Sequence, residues 1–144
     1  MKLRMRTSTV VVHNNQILSF FAVDPTDGRQ FYFLPGGGIE PGETAPDAAV
    51  RETEEETGYK VRVDVASAID KEYVFHWDGA DHLTHTIFYR AYLQNPFQKP
   101  PTVKDADYNK GVRWIPLVKV PEIFGYTPEI CAAVLALVEY LPGE

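Results

Sequence analysis

The sequence has very little cysteine and no long apolar run. Its single cysteine, Cys131, permits neither an intrachain disulfide nor a cluster of thiolate metal ligands, and it suits a reducing compartment. No stretch approaches the roughly 20 apolar residues that a membrane-spanning helix needs. Near the first residue, the only apolar stretch is residues 10–12, which is too short for a signal peptide. We therefore expect a cytoplasmic protein with no membrane partner.

The sequence also lacks a surplus of basic residues. Its 144 residues include 20 acids and 14 Lys or Arg residues, for a formal net charge of −6. The segment 40–56 holds seven acids and one arginine, so it carries this whole net charge and the rest of the chain is neutral. Binding to duplex nucleic acid requires clustered Lys and Arg. We therefore expect no duplex nucleic acid partner, and we expect any cation to bind at the acidic segment.

Strand and helix signals alternate along the chain. Residues 45–57 are predicted to form a helix, because Thr44 can cap its start and Gly58 can end it in a left-handed conformation. Apolar spacing predicts a second helix over 128–141. Strands are predicted at 7–12, 17–23, 31–34, 59–65, 68–77, 82–93 and 112–115, with a long loop over 95–111. The order predicts one α+β domain over 1–144, with a mixed sheet between helices.

Three glutamates of the first predicted helix share one face. Glu52, Glu55 and Glu56 fall within about 100° of the helix circumference. Like charges at these spacings repel each other, so their convergence is explained if a cation lies between them. Carboxylate oxygens bind hard cations such as Mg²⁺, which commonly brings phosphates with it. A Glu-rich helix is more often a solvated face, and Glu54 on the opposite side fits that description.

Three consecutive glycines, residues 36–38, precede this helix. Glycine lets the backbone approach a ligand closely and lets carbonyl oxygens turn towards it. Three glycines alone would indicate only a turn. Combined with the acidic helix at a fixed spacing, they indicate a site for a cation and phosphates.

The spacing itself is distinctive. Gly37 is followed after five residues by Glu43 and after seven more by the run 51–59, RETEEETGY. This pattern resembles the signature of the MutT-like Nudix hydrolases, and all seven fixed positions match. Thr53 departs from the usual aliphatic residue, which affects the packing of the helix rather than the metal site.

The resemblance implies a Nudix-type α/β/α sandwich with a mixed central sheet. It implies a Mg²⁺-dependent enzyme, with Mn²⁺ as the alternative, that cleaves the diphosphate linkage of a nucleoside diphosphate derivative. Carried over by position, the catalytic residues are Arg51, Glu52, Glu55 and Glu56. The three glutamates would bind the metal together with the carbonyl of Gly36, and Arg51 would orient a glutamate.

The chemistry agrees with this assignment. Cleavage of a diphosphate requires neutralised charge and a water placed in line with the bond, both of which a bound Mg²⁺ can supply. The sequence offers no obvious protein nucleophile, so we expect direct attack of an activated water at phosphorus. The general base stays open between Glu52, Glu55 and a downstream aspartate.

Four further residues are candidates for substrate binding. Asp105 and Asp107, in the predicted loop, could serve as an extra metal ligand or base, although loop aspartates are often merely solvated. Arg29 could contact a phosphate, and a surface role is equally compatible with its position. Phe31 belongs to a set of alternating aromatic residues, most of them expected in the core, one or two of which could stack on a base.

The substrate is the least determined part of the sequence analysis. Residues that mark particular Nudix subfamilies are missing outside the signature, so a nucleoside triphosphate or another small nucleotide is the default partner. A catalytically silent Nudix-fold nucleotide-binding module is the alternative function. A metal-buffering or interaction helix on an unrelated fold is a third. A homodimer is left open.

Overall fold

The fold is a mixed sheet between helices. The computed structural model describes residues 1–95, 97–98 and 106–143. The strands are β1 (Leu3–His13), β2 (Gln16–Val23), β3 (Gln30–Phe33), β4 (Gly36–Gly38), β5 (Val61–Val63), β6 (Ile69–Trp77), β7 (Ala80–Leu93) and β8 (Asn109–Pro116). The α-helices are α1 (Ala45–Thr57), α2 (Val120–Ile123) and α3 (Pro128–Val138), and short 3₁₀ helices lie at Val65–Ser67, Ala106–Tyr108 and Leu117–Lys119. None of the described helices has the length and apolar character needed to cross a membrane.

The two ends of β1 pair with different strands. From Leu3 to Val11, β1 runs parallel to β7, and its last two residues pair antiparallel with β2. The other described pairings are antiparallel: β4 with β1, β3 and β8 with β2, and β5 and β6 with β7. The sheet is therefore mixed, as the sequence predicted. Strand β1 therefore joins the two parts of the sheet, with β4 paired to Arg6–Ser8 and β2 paired to Val12 and His13.

One helix packs on each face of the sheet. Alternate residues of a strand point to opposite faces, so Val10 packs against Val134 of α3 while Val11 packs with Val50 of α1. The α3 side holds the larger apolar cluster, which includes Phe88 and Leu137 among its buried members. This arrangement confirms the predicted α+β class and the α/β/α sandwich.

Helix α1 begins and ends where the sequence predicted. The Thr44 hydroxyl accepts a hydrogen bond from the Asp47 N–H at 3.2 Å. At the other end, Gly58 adopts φ = 81° and donates its N–H to the Glu54 carbonyl at 2.8 Å. These two caps fix the ends of the helix, and the packing of Val50 on the sheet orients the face that carries the glutamates.

Other boundaries differ from the prediction. β8 begins at Asn109 rather than at 112, because it pairs along β2 as far as Ala22. The predicted loop is correspondingly shorter, and α3 ends at Val138 rather than at 141. The glycines form the short strand β4 rather than an irregular loop, with Gly36 opposite Ser8 of β1.

The unusual Thr53 is accommodated by hydrogen bonds within the fold. Its side chain is fully buried and donates to the Ala49 carbonyl at 2.7 Å. The same hydroxyl lies 2.8 Å from the equally buried hydroxyl of Thr9 on β1. Since the Thr53 proton is used by Ala49, Thr9 is the donor of this second bond. A polar pair thus replaces an aliphatic contact between α1 and the sheet.

We predict that Thr53→Val alone destabilises the protein, because the buried Thr9 hydroxyl then loses its acceptor. An unsatisfied buried donor costs about 1–3 kcal/mol, whereas replacing both partners by apolar groups is nearly neutral. The double variant Thr9→Val/Thr53→Val should therefore recover most of the loss. Chemical denaturation of the two single variants and the double variant measures the coupling. Additive losses would contradict the proposed pairing.

Candidate active site

A cavity of about 250 Å³ lies between the sheet and α3, beside the glycine strand. Its aromatic lining consists of Phe20, Phe33, Tyr73, Phe75, Trp77, Phe88, Tyr108 and Tyr126. Its polar lining consists of Arg4, Arg6, Ser8, Glu56, His82 and Thr84. An aromatic wall with a few convergent polar groups is typical of a small-molecule binding site.

Strand β1 supplies the positive charge of the cavity. Arg4, Arg6 and Ser8 are alternate residues of β1, so they share one face of the sheet, and all three line the cavity. Ser8 lies opposite Gly36 and Arg6 lies opposite Gly38, so both are beside the glycine strand, and Arg4 lies just beyond its end. Two guanidinium groups therefore follow one wall of a cavity that also contains the carboxylate of Glu56.

Glu56 is the buried acid of the site. Its side chain is 4% exposed, and its Oε1 accepts a hydrogen bond from the Gly36 N–H at 2.7 Å. Burial raises the pKa of Glu56 well above its usual range, the Gly36 N–H opposes this change, and the nearby Glu52 and Glu55 charges raise the pKa further. The site therefore disfavours a full set of negative charges unless a positive charge accompanies them.

Arg51 connects the glutamates to the glycine strand. Its Nε and Nη2 donate to the two carboxylate oxygens of Glu43 at 2.7 and 2.9 Å. Its Nη1 donates to Glu52 at 2.9 Å and to Glu55 at 3.3 Å, which includes the i,i+4 pair that the sequence predicted. Its Nη2 also donates to the Gly38 carbonyl at 3.2 Å. One guanidinium thus orients three carboxylates and anchors the strand.

The donor set fits a hard cation, although the side chains do not share one in the present rotamers. Among residues 1–95, 97–98 and 106–143, no three His, Cys, Asp or Glu side chains converge closely enough to hold a metal ion. Glu52 and Glu55 are turned to Arg51, while Glu56 is turned to Gly36. The glutamates nonetheless share one helix face, and their oxygens are the ligand type that Mg²⁺ binds. Sharing an ion would require a change of rotamer.

Gly37 makes room for one of these carboxylates. A Cβ added at Gly37 would lie 2.5 Å from Cδ of Glu52, so a larger residue would displace that side chain. At Gly38 an added Cβ would meet nothing within 4 Å. Position 37 therefore requires glycine, because the strand packs there against Glu52 of the acidic helix.

Two of the predicted substrate residues lie outside the cavity lining. Arg29 donates to Asp27 and, at 3.1 Å, to the carbonyl of His76, so its guanidinium is engaged between two surface segments. Phe31 is 9% exposed and stacks on Phe33 at a centroid distance of 5.2 Å. Phe33 lines the cavity, and Phe31 packs against Phe33 outside the lining. Their roles in substrate binding stay predictions.

The predicted aspartates give a similar result. Asp105 lies outside the described residues. Asp107 is exposed on a 3₁₀ helix, and the described cavity lining contains its neighbour Tyr108 instead. Burial, followed by the negative charges of Glu56 and Glu52, raises the pKa of Tyr108 to about 12. Tyr108 therefore stays a neutral hydroxyl beside the acids.

Sequence reasoning missed Arg4, Arg6 and Tyr108. The predicted first strand began at residue 7, which left both arginines outside it, although their spacing of two would have placed them on one face of a longer strand. Tyr108 fell within the predicted loop, and no local signal distinguished it from the aspartates beside it.

We predict a pH-dependent stabilisation by the pair formed by Glu43 and Arg51. The hydrogen bonds from Arg51 lower the pKa of Glu43 from 4.5 to about 2, so the pair stabilises the fold fully above the unfolded value and less as the pH falls towards 2. Glu43→Gln should therefore destabilise the protein at neutral pH, and the difference from wild type should shrink below pH 4.5. Urea titrations between pH 3 and pH 7 measure it.

The control is Glu54→Gln, which removes one negative charge from the opposite side of α1. A constant difference between Glu43→Gln and wild type across this pH range would contradict the prediction.

The chain matches a known family over most of its length. The model of the NUDIX domain family matches residues 3–130. Over 111 residues the chain is 36% identical to the RNA pyrophosphohydrolase of Erythrobacter litoralis (strain HTCC2594), an alignment that covers 73% of this chain and 66% of that protein. The chain thus spans just under two thirds of the length of this curated relative.

Solved structures share the fold. A NUDIX hydrolase from Nitrosomonas europaea has a TM-score of 0.70 at 18% identity, covering 99% of this chain and 100% of that one. The Ap4A hydrolase of C. elegans, solved as a binary complex, has a TM-score of 0.70 at 20% identity, covering 98% of this chain and 99% of that one. At such identities the likeness concerns the fold alone. The family match carries the assignment, and the chain belongs to the NUDIX domain family.

Proposed function

We propose that the protein is a Mg²⁺-dependent pyrophosphohydrolase that cleaves the diphosphate linkage of a small nucleotide. The observation that carries this proposal is a cavity in which two arginines, a buried glutamate and an aromatic wall meet. The family and the printed names of the relatives support a pyrophosphohydrolase. The residues that line this cavity support an assignment of each part of the substrate to particular side chains.

The arginines would bind the phosphates. Alternate residues of a strand lie about 7 Å apart, so Arg4 and Arg6 can contact successive parts of a phosphate chain. A guanidinium binds phosphate oxygens through paired N–H groups and keeps its charge at every physiological pH. Their position on β1 would direct the phosphates towards Glu56 at the glycine end of the cavity.

The glutamates of α1 would bind the metal. Glu52, Glu55 and Glu56, with the carbonyl of Gly36, provide oxygen donors suited to Mg²⁺ or Mn²⁺. When bound, such an ion neutralises phosphate charge and lowers the pKa of a bound water. Arg51 would hold Glu52 or Glu55 in position whenever that carboxylate does not contact the ion, because its Nη1 contacts both.

The reaction would be the attack of water on phosphorus. The oxygen of the water forms the new P–O bond, the bridging P–O bond breaks, and the leaving phosphate takes the electron pair. Glu52 and Glu55 would be the candidates to accept the water proton, since they belong to the same helix as Glu56, whereas Asp107 belongs to a separate 3₁₀ helix and is exposed. Transfer of label from ¹⁸O-water into one product in a single turnover supports direct attack, and a trapped phosphoryl-enzyme contradicts it.

The aromatic end would receive the base. The ring centroids of Phe33 and Trp77 lie 5.1 Å apart with their planes inclined at 63°, and Tyr108 packs edge-on against Trp77 at 5.8 Å. Flat π-faces favour a nucleobase, since stacking contributes about 1–3 kcal/mol per base. The same wall offers little to inorganic pyrophosphate. A small nucleotide, such as a nucleoside triphosphate, therefore fits both ends of the cavity.

We predict that Glu56→Gln removes most of the turnover while the fold is retained. Glutamine can still accept the Gly36 N–H, but it supplies no negative charge to the metal site. The loss of repulsion from Glu52 and Glu55 should leave the metal-free protein as stable as wild type or slightly more stable. Phosphate and pyrophosphate release from a nucleotide panel, with Mg²⁺, Mn²⁺ or EDTA, measures activity, and thermal unfolding measures the fold.

The same panel separates the alternative function. Nucleotide binding with no product release from the wild type, at saturating Mg²⁺ or Mn²⁺, would identify a silent binding module. Wild-type rates for Glu56→Gln would show that the assigned acid is wrong.

We predict that Arg6→Gln raises KM for nucleotides by about tenfold or more, since a lost charged hydrogen bond to a phosphate is worth about 1.5–3 kcal/mol. The matched control is Arg62→Gln on β5, an arginine whose guanidinium packs over the ring of Tyr92. Initial rates over a range of substrate concentrations measure KM and kcat. Equal effects of the two substitutions would argue against phosphate binding by Arg6.

Further expectations from the sequence belong to this proposal. A single domain over 1–144, a cytoplasmic location, a small-molecule nucleotide as partner in place of duplex nucleic acid, and a homodimer all stay predictions.

A further inference from the structure

Asp24 is a buried carboxylate that the proposed chemistry does not use. It follows β2 directly, and only 1% of the residue is exposed. Its Oδ1 accepts the backbone N–H of Thr26 at 2.8 Å and that of Asp27 at 3.4 Å. Burial works against the ionised form, but these N–H groups, that of Asp78 and the charge of Arg29 lower the pKa of Asp24 overall. The residue is therefore a charged anchor inside the protein.

The other oxygen of Asp24 holds a distant segment. Oδ2 accepts the backbone N–H of Asp78 at 3.1 Å, at the tip of the hairpin formed by β6 and β7. Asp78 adopts φ = 51°, a left-handed conformation that the tight turn before Gly79 requires. The Thr26 hydroxyl adds a bond to the Asp78 carboxylate at 2.5 Å. One side chain thus ties the loop after β2 to a hairpin tip more than 50 positions away.

This tie lies where the sheet itself provides no connection. Among the described strands, β3 pairs with β2 and β6 pairs with β7, so no backbone ladder joins β3 to β6. The aromatic wall nevertheless crosses this gap. Phe33 of β3 faces Phe75 and Trp77 of β6 at centroid distances of 5.8 and 5.1 Å. The half-exposed guanidinium of Arg29 also crosses this gap to the His76 carbonyl, whereas Asp24 is a buried polar group that spans it.

We propose that Asp24 is a positioning residue for the substrate's base. By holding the loop after β2 against the tip of the β6–β7 hairpin, it sets the distance between Phe33 on one side and Phe75 and Trp77 on the other. The inference rests on the proposed function, because it assigns the aromatic end of the cavity to a nucleobase. A preorganised wall binds a flat ring without first having to be ordered by it.

Asp24→Asn distinguishes the bonds that Asp24 makes to its own loop from the bond it makes to Asp78. Asparagine has one acceptor oxygen, and that oxygen can satisfy either the two N–H groups on the loop side or the single N–H of Asp78. The loop side offers more bonds, so the amide NH₂ would face the Asp78 N–H, donor against donor. The substitution therefore removes the buried bond to Asp78 and preserves the loop, and only the exposed bonds from Thr26 and Arg29 still hold the hairpin.

The first measurement concerns the wall without a ligand. In a Trp114→Phe background Trp77 is the sole tryptophan, and acrylamide quenching reports how accessible it is. Asp24→Asn should raise the quenching constant, whereas Asp81→Asn, which removes an exposed carboxylate of the same hairpin bonded to His76, should not. Unchanged quenching in Asp24→Asn overturns the inference.

The second measurement asks whether the effect follows the base. Titrations in Mg²⁺ compare α,β-methylene-ADP with methylenediphosphonate, which carries the same phosphorus groups and no nucleoside. We expect Asp24→Asn to weaken the first by about fivefold or more, as lost preorganisation does, and to leave the second unchanged. Equal weakening of both ligands indicates a merely structural role and overturns the inference, as does unchanged affinity for both.

A milder variant tests the same inference if Asp24→Asn folds poorly. Thr26→Val removes the exposed hydroxyl that bonds Asp78, and it should change quenching and nucleotide affinity in the same direction by a smaller factor. The outcome is distinct from a failure of the proposed function. Tight binding of α,β-methylene-ADP with no hydrolysis of any nucleotide would contradict the proposed enzymatic activity but not the role of Asp24. No binding of this ligand to the wild type would overturn the assignment of the aromatic wall to a base.

Discussion

The contact between the glycine strand and α1 constrains the whole site. The Gly36 N–H is bonded to the buried Glu56, and Gly37 lies so close to Glu52 that a Cβ there would overlap its carboxyl group. Arg51 reinforces this contact by donating to Gly38 from the helix. Because β4 is also paired with β1, the same contact fixes the helix relative to the cavity face of the sheet. Any shift of α1 would move all the carboxylates together.

This arrangement leaves an excess of negative charge at the site. The acidic segment carries the net charge of the whole chain, and three of its carboxylates share one helix face. Arg51 compensates part of this charge, and burial raises the pKa of both Glu52 and Glu56. Proteins tolerate such local destabilisation where a site needs it, because the remaining core carries the fold. Here that core is the apolar packing of Val10 and Val134 on the opposite side.

The helix and glycines at the acidic end of the cavity could be predicted from the sequence because their signals are local. Thr44 and Gly58 mark the ends of α1, and the spacing from Gly37 to the glutamates lies within one short segment. The ligand end could not be predicted in the same way. Whether Phe31 or Phe33 faces the cavity depends on how the strands bend and pack. The position of Arg6 in the cavity lining depends on the pairing of β1 with β7, more than 70 positions later.

The two ends of the cavity therefore rest on different physical supports. The acidic end belongs to one helix and the strand before it, so its geometry follows from a few local bonds. The aromatic end is assembled from β3, β6, the segment before β8 and the turn before α3. Its parts meet through ring contacts, the buried carboxylate of Asp24 and exposed hydrogen bonds from Thr26 and Arg29. A substitution in one of these segments can reshape the ligand end without moving α1. Under the proposed function, discrimination among nucleotides would thus be separable from the bond-breaking chemistry, since the contacts that set ring spacing are not those that orient Glu56.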